Sequence, residues 1–229
     1  MKSAEQQLRN FIREAVAAEV SPRVQPSSVI YCDMDGVLVD FEAGTIKLLN
    51  SILDGEKIPG AKRGKSYWKT LRKLHNELGE DWRPQGRPDL NLKPARNFMF
   101  AVISENPGGF FGALPPLSDG VNQLWPYLNS TGHTVKLLTA GVPGRSEMPT
   151  AEEGKKMWAM ENLDPPPKSV ILSPARQKAE NAAPGDTPNV LIDDKASTIQ
   201  TWNAAGGIGI LHTPGGSSVT IARLQEIGL

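Results

Sequence analysis

Two aspartates one residue apart, Asp33 and Asp35, follow the short apolar run Val29-Ile30-Tyr31-Cys32 and precede Gly36. A run this short, rich in β-branched and aromatic residues, predicts a buried parallel strand. Period-two alternation sets both carboxylates on one side if the strand continues. Gly36 supplies the backbone freedom to turn there. Alone, the pair could do no more than cap the next helix. The rest of the chain supplies matching parts in order. Thr139 follows the apolar run 134–138, Lys178 lies beyond the run 169–172, and Asp193-Asp194 follows the run 189–192. Such a set suits phosphoryl transfer, in which a group with negative oxygens must be surrounded by cations and hydrogen-bond donors. Lys178, Thr139 and backbone N–H groups near Ala140 can supply them. A carboxylate cannot approach a phosphate dianion unless charge is screened. Mg2+ would screen it, through hard oxygen ligands from Asp33, Asp193 and a carbonyl at Asp35.

The elements that must position these groups alternate. Helical periodicity covers residues 42–53, 66–78 (Ser66 as N-cap), 95–105, 118–128, 150–163, 197–205 and 217–227, with a short helix or turn over 176–182. Thr150 and Glu153 have capping-box spacing. Strands are expected at 29–32, 134–138, 169–172, 189–192 and 207–211. This alternation predicts an α/β fold, a doubly wound parallel five-stranded sheet. Roughly 70 residues separate the first two strands, far more than one crossover needs. Residues 42–105 therefore read as an inserted helical cap, and residues 28–41 and 106–229 as the core. Residues 4–20 form an amphipathic helix that could pack on the core, dock on a partner or support a homodimer; 1–27 is read as this helix and a linker. Asp33, Thr139 and Asp193 each stand just after a strand, so all three fall at one sheet edge, where open α/β sheets bind ligands.

The chain has 229 residues, 39% apolar and 22% charged, with zero formal net charge. This argues against a dominant nucleic-acid or membrane footprint. Lys62, Arg63, Lys65, Lys69, Arg72 and Lys73 nevertheless make the cap locally basic. The single cysteine, Cys32, excludes an intrachain disulfide and reads as a small buried apolar residue. No apolar run reaches transmembrane length and the N-terminus lacks a signal-peptide core, so a cytoplasmic protein is expected.

The pattern apolar run, Asp33-x-Asp35-Gly36-Val37 resembles motif I of the haloacid dehalogenase (HAD) superfamily, and the later groups resemble its motifs II to IV. The resemblance spans about residues 28–212 in scattered motifs. It implies that Asp33 forms an aspartyl-phosphate and that Asp35 acts as general acid and base. Thr139 and Lys178 would hold phosphate, while Asp193 would ligate Mg2+ and Asp194 orient its waters. The stretch 33–41, Gly109-Phe110-Phe111 with Leu114-Pro115-Pro116, Lys155 with Trp158, Arg176-Gln177-Lys178 and 191–195 are similar to the 5'(3')-deoxyribonucleotidases. That likeness implies a nucleoside monophosphate substrate, with Lys155 as a second phosphate-side lysine. Phe41, Trp68 and Phe110 would then wall the sugar and base, and Ala140 would offer its backbone. The sequence departs from the family at Ala140-Gly141, where a second hydroxyl is missing, and in the cap, where little aligns. Other readings are a phosphatase for another small phosphate ester or a nucleic-acid 3'-phosphate, or a binding module of the same fold.

Overall fold

The computed structural model describes residues 24–55, 65–142, 149–183 and 187–229. The expected N-terminal helix and the basic residues Lys62 and Arg63 lie outside the described residues. Five parallel strands form one sheet: β1 (Val29–Cys32), β2 (Thr134–Thr139), β3 (Val170–Leu172), β4 (Val190–Asp193) and β5 (Ile208–Leu211), in the order β3-β2-β1-β4-β5. The strand carrying the aspartate pair is thus central. Ile30 pairs with Val135 on one side and with Val190 on the other.

Both faces of the sheet are covered, which is why β1, β3 and most of β4 read as continuous apolar runs rather than alternating ones. Ile30 and Cys32 face one apolar cluster with Leu137, Val190 and Ile192. Tyr31, Leu138 and Leu191 face the other, against Trp202. Three tryptophans are fully buried, and each indole N–H meets a carbonyl. Trp125 donates to Pro165, Trp158 to Leu114 and Trp202 to Asn189, so none is buried at the cost of an unmade hydrogen bond.

Between β1 and β2 run helices α1 (Phe41–Leu53), α2 (Lys65–Leu78), α3 (Arg87–Leu90), α4 (Lys93–Ile103) and α5 (Pro107–Gly112). Leu49, Ile52, Leu74, Phe98 and Val102 from these helices join the same apolar cluster as Ile30. Lys69, Arg72 and Lys73 on α2 are exposed, the solvated face expected of an amphipathic helix. Ser66 lies inside α2 rather than ahead of it, and α3 and α5 form where helical periodicity gave no helix. Both have proline in the first turn, where its missing N–H costs nothing, and Asn106 caps α5 by accepting from Gly109 N–H at 3.0 Å.

The helix expected over 118–128 is a π-helical turn (Gly120–Leu124) running into α6 (Trp125–Ser130). Pro126 explains the widening: it has no N–H to give, and Trp125 N–H reaches back to Gly120 carbonyl instead. After β2 come α7 (Ala151–Asn162), a 3-10 turn (Ala175–Asn181), α8 (Ala196–Ala204) and α9 (Ser217–Glu226). The capping box forms as expected: Thr150 N–H donates to Glu153 Oε2 at 2.6 Å, and Glu153 N–H to Thr150 Oγ1 at 3.2 Å. Among the described residues no helix is long and apolar enough to cross a membrane.

Candidate active site

β1 ends at Cys32; Asp33 N–H still donates to the Ile192 carbonyl at 2.9 Å, and the chain then turns over 36–38. Met34 carbonyl accepts from the N–H groups of Val37, Leu38 and Val39, and Gly36 N–H donates to Val39 carbonyl at 2.9 Å. Gly36 holds a φ of +77° there, which a side chain would resist. A Cβ at Gly36 would also sit 2.3 Å from Asp194 Oδ2. Glycine is therefore what lets the β1 and β4 loops approach each other.

The turn parts the two aspartates. Asp33 is buried, and its Oδ1 accepts from Met34 N–H at 2.7 Å. Its Oδ2 meets Lys178 Nζ at 2.7 Å. Lys178, carried by the 3-10 turn after β3, also donates to Asp193 Oδ2 at 2.8 Å. Asp193 Oδ1 accepts from Lys195 N–H at 2.8 Å. Oxygens of Asp33, Asp193 and Asp194 lie within 4.8 Å of one another.

Asp35 turns the other way, to Lys155. Lys155 Nζ donates to Asp35 Oδ2 at 2.7 Å and to Thr139 Oγ1 at 2.7 Å, and lies 4.5 Å from the centre of the Phe111 ring. Close helix packing brings Lys155 here. Gly154 lies against Gly108, where a Cβ would stand 2.2 Å from the Gly108 carbonyl, so α7 presses onto α5.

Burial dominates the electrostatics. Desolvation raises the Asp35 carboxyl above its ordinary value, with Asp33 adding to the shift and Lys155 opposing it. Desolvation and the neighbouring Asp33 push Asp193 up to about 6, against Lys178. Burial works against the Lys178 ammonium, but Asp33 and Asp193 outweigh it and raise its pKa. Cys32 is fully buried and its thiol is pushed well up by desolvation, an inert core group as expected.

A cavity of about 710 Å³ opens over this edge. Asp33, Asp35, Asp193, Asp194, Lys178, Ala140 and Phe41 line it. Thr139 and Lys155 do not: both are wholly buried behind its wall. Trp68 is 42% exposed on α2 and stands outside the lining, because the apolar face of α2 is carried by Leu71 and Leu74. Phe110 is also outside it, packed edge-on to Phe41 at 5.6 Å between ring centres. Sequence reasoning missed the outer wall, where Gln85, Asn91, Arg96 and Met99 project from the segment between β1 and β2. No motif surrounds these four residues, so the sequence offered no signal. Phe111 was within reach, since it adjoins Phe110 in a segment already singled out.

No protein-family model matches this chain, and no curated protein matches it. Solved structures of similar outline are HAD-superfamily hydrolases and dehalogenases. The L-2-haloacid dehalogenase PA0810 is 15% identical, with 86% of this chain and 87% of that one covered, at a TM-score of 0.44. YfnB of Bacillus subtilis, assigned as a HAD hydrolase and bound to magnesium, is 14% identical over 82% and 89% at 0.47. A protein of Lactobacillus delbrueckii subsp. bulgaricus assigned as a phosphoglycolate phosphatase is 14% identical over 90% and 92% at 0.45. Likeness this distant carries no argument about activity.

Proposed function

We propose that the chain is a Mg2+-dependent phosphomonoesterase acting through an aspartyl-phosphate, with nucleoside monophosphates as substrates. The observation that carries this reading is the division of labour at the β1 edge. Asp33 stands with a lysine and two further carboxylates on a cavity wall, while Asp35, two residues on, is held apart by a second lysine.

The donor set fits a divalent cation. Oxygens of Asp33, Asp193 and Asp194 lie within 4.8 Å of one another, and all three residues line the cavity. Asp33, Asp193 and Asp194 would hold Mg2+, with the Asp35 carbonyl as a further oxygen; the Asp35 carboxylate itself is committed to Lys155. When bound, the ion screens nucleophile from phosphate and polarises the phosphoryl oxygens.

In the reaction, an Asp33 oxygen attacks phosphorus and the ester oxygen departs, taking a proton from Asp35. Asp35 then accepts a proton from the water that attacks the aspartyl-phosphate, which returns Asp33 and releases phosphate. Lys178, on the wall beside Asp33, balances charge on the phosphoryl oxygens. The insertion, read as a cap, meets the leaving group. Phe41 offers an aromatic surface there, and Gln85, Asn91 and Arg96 offer hydrogen bonds to a base edge. The cavity volume lies within the ordinary range for small-molecule sites, about 300–1,000 Å³.

The test is phosphate release from a panel of 5'- and 3'-nucleoside monophosphates, ribo and deoxy, with Mg2+ or chelator, beside Asp33→Asn. Metal-dependent release, lowered by about 10³-fold or more in Asp33→Asn, is expected. Release from aryl phosphates alone would keep the reaction and discard the nucleotide. Release from no ester would overturn the reading.

A further inference from the structure

Resting on the reading of Asp35 as the group that protonates the leaving oxygen, we infer that Lys155 is a positioning residue that aims Asp35, and not a phosphate ligand. Lys155 is wholly buried and lies outside the cavity lining. A phosphoryl group in the cavity meets Lys178, which shares the wall with Asp33, before it could meet Lys155.

Three contacts fix the Lys155 ammonium. Asp35 Oδ2 and Thr139 Oγ1 each accept at 2.7 Å, and the Phe111 ring lies at 4.5 Å. Two of an ammonium's three protons are thus placed, and an aromatic face meets the same charge. The backbone allows no retreat, since Gly154 is packed directly on Gly108 and the helix start is locked by the Thr150–Glu153 capping box. Asp35 is otherwise weakly held. Its side chain keeps 27% exposure, and its buried Oδ1 has no hydrogen-bond partner. The carboxyl group is therefore anchored through Lys155 and Thr139 to the end of β2, while the exposed part of the Asp35 side chain keeps it in reach of a leaving group in the cavity. Thr139 serves as the far anchor of this chain, a role that needs a single hydroxyl and explains why Ala140 can follow it.

Phenyl phosphate and 4-nitrophenyl phosphate separate the two roles, because they match in shape and only the first needs its leaving oxygen protonated. Wild type, Lys155→Met and Phe111→Leu are compared by kcat/KM on both esters and by competitive inhibition with inorganic phosphate, all with Mg2+. Lys155→Met should lose about 10²-fold on phenyl phosphate, the scale of general acid catalysis, and less than about tenfold on the nitrophenyl ester. Phosphate inhibition should stay within about twofold of wild type, since no phosphate contact is removed. Phe111→Leu should show the same selectivity at smaller size, and carries the test if thermal melting shows Lys155→Met unfolded. Equal losses on both esters with weakened phosphate inhibition would make Lys155 a phosphate ligand and overturn the inference, as would no loss on either ester. A wild type that cleaves neither these esters nor any nucleotide would overturn the enzymatic reading and the inference with it, a failure distinguished by appearing before any substitution.

Discussion

Lys178 and Lys155 are both buried ammonium groups held 2.7 Å from an aspartate, yet Lys178 shares the cavity wall and Lys155 is sealed behind it. Lys178 bridges two carboxylates that also belong to the acidic trio, so its charge stands where a cation and a phosphoryl group would gather. Lys155 is tied to one carboxylate, one hydroxyl and one ring, none of which belongs to that trio. The contrast teaches that burial and charge alone do not assign a lysine its work. What its partners belong to decides it: the partners of Lys178 are members of the acidic trio at the cavity, whereas those of Lys155 are not.

The largest expected effect that tests this contrast comes from Lys178→Met beside Lys155→Met. Removing one partner of a buried ion pair costs about 3–5 kcal/mol, so both variants should melt well below wild type in chelator. Added Mg2+ should restore much of the loss in Lys178→Met, where it can replace the missing charge between Asp33 and Asp193, and little in Lys155→Met. Thermal unfolding with and without metal reads this directly, and equal rescue of the two would erase the distinction.

Gly36→Ala sharpens the same contrast from the backbone. A positive φ and a Cβ that would strike Asp194 should together cost about 1–3 kcal/mol. Mg2+ affinity, followed by titration, should weaken, because the displaced Asp194 belongs to the metal side and not to the Lys155 side.

The smallest effect is a control at a carboxylate that contacts neither lysine. Asp119 Oδ2 accepts from Ser217 N–H at 3.1 Å and Ser217 Oγ at 2.7 Å, capping α9 from 98 residues away. Burial opposes its ionisation, but these hydrogen bonds prevail and lower its pKa. A lowered carboxyl contributes stability that is present above its unfolded value near 3.8 and lost as pH falls through the lower folded value. Asp119→Ala should therefore cost about 1 kcal/mol near neutral pH and nearly nothing in strong acid. Its response to Mg2+ should equal that of wild type.

Much of the frame could be read from residue order. Each strand was a short apolar run ending at a polar residue, and helices followed at regular intervals, so the chemically loaded residues had to share one sheet edge. The misreadings have local causes. The helices Arg87–Leu90 and Pro107–Gly112 are too short for periodicity to register. The π turn answers to Pro126, whose effect on the preceding turn depends on hydrogen bonds and not on hydropathy. Trp68 was chosen by type, and an aromatic on a helix can fall on either face.

Residue order settles the parallel sheet, the carboxylates and cations at its edge, and the capping box that starts α7, because all of these follow from local periodicity and spacing. Which lysine meets which aspartate depends on packing between segments distant in the chain. Asp33 and Asp35 are two residues apart, but their partners come from 145 and 120 positions further along the chain. That pairing rests on a glycine turn that sends the two side chains apart and on the close contact of Gly154 with Gly108, which brings one helix near enough for its lysine to reach the interior.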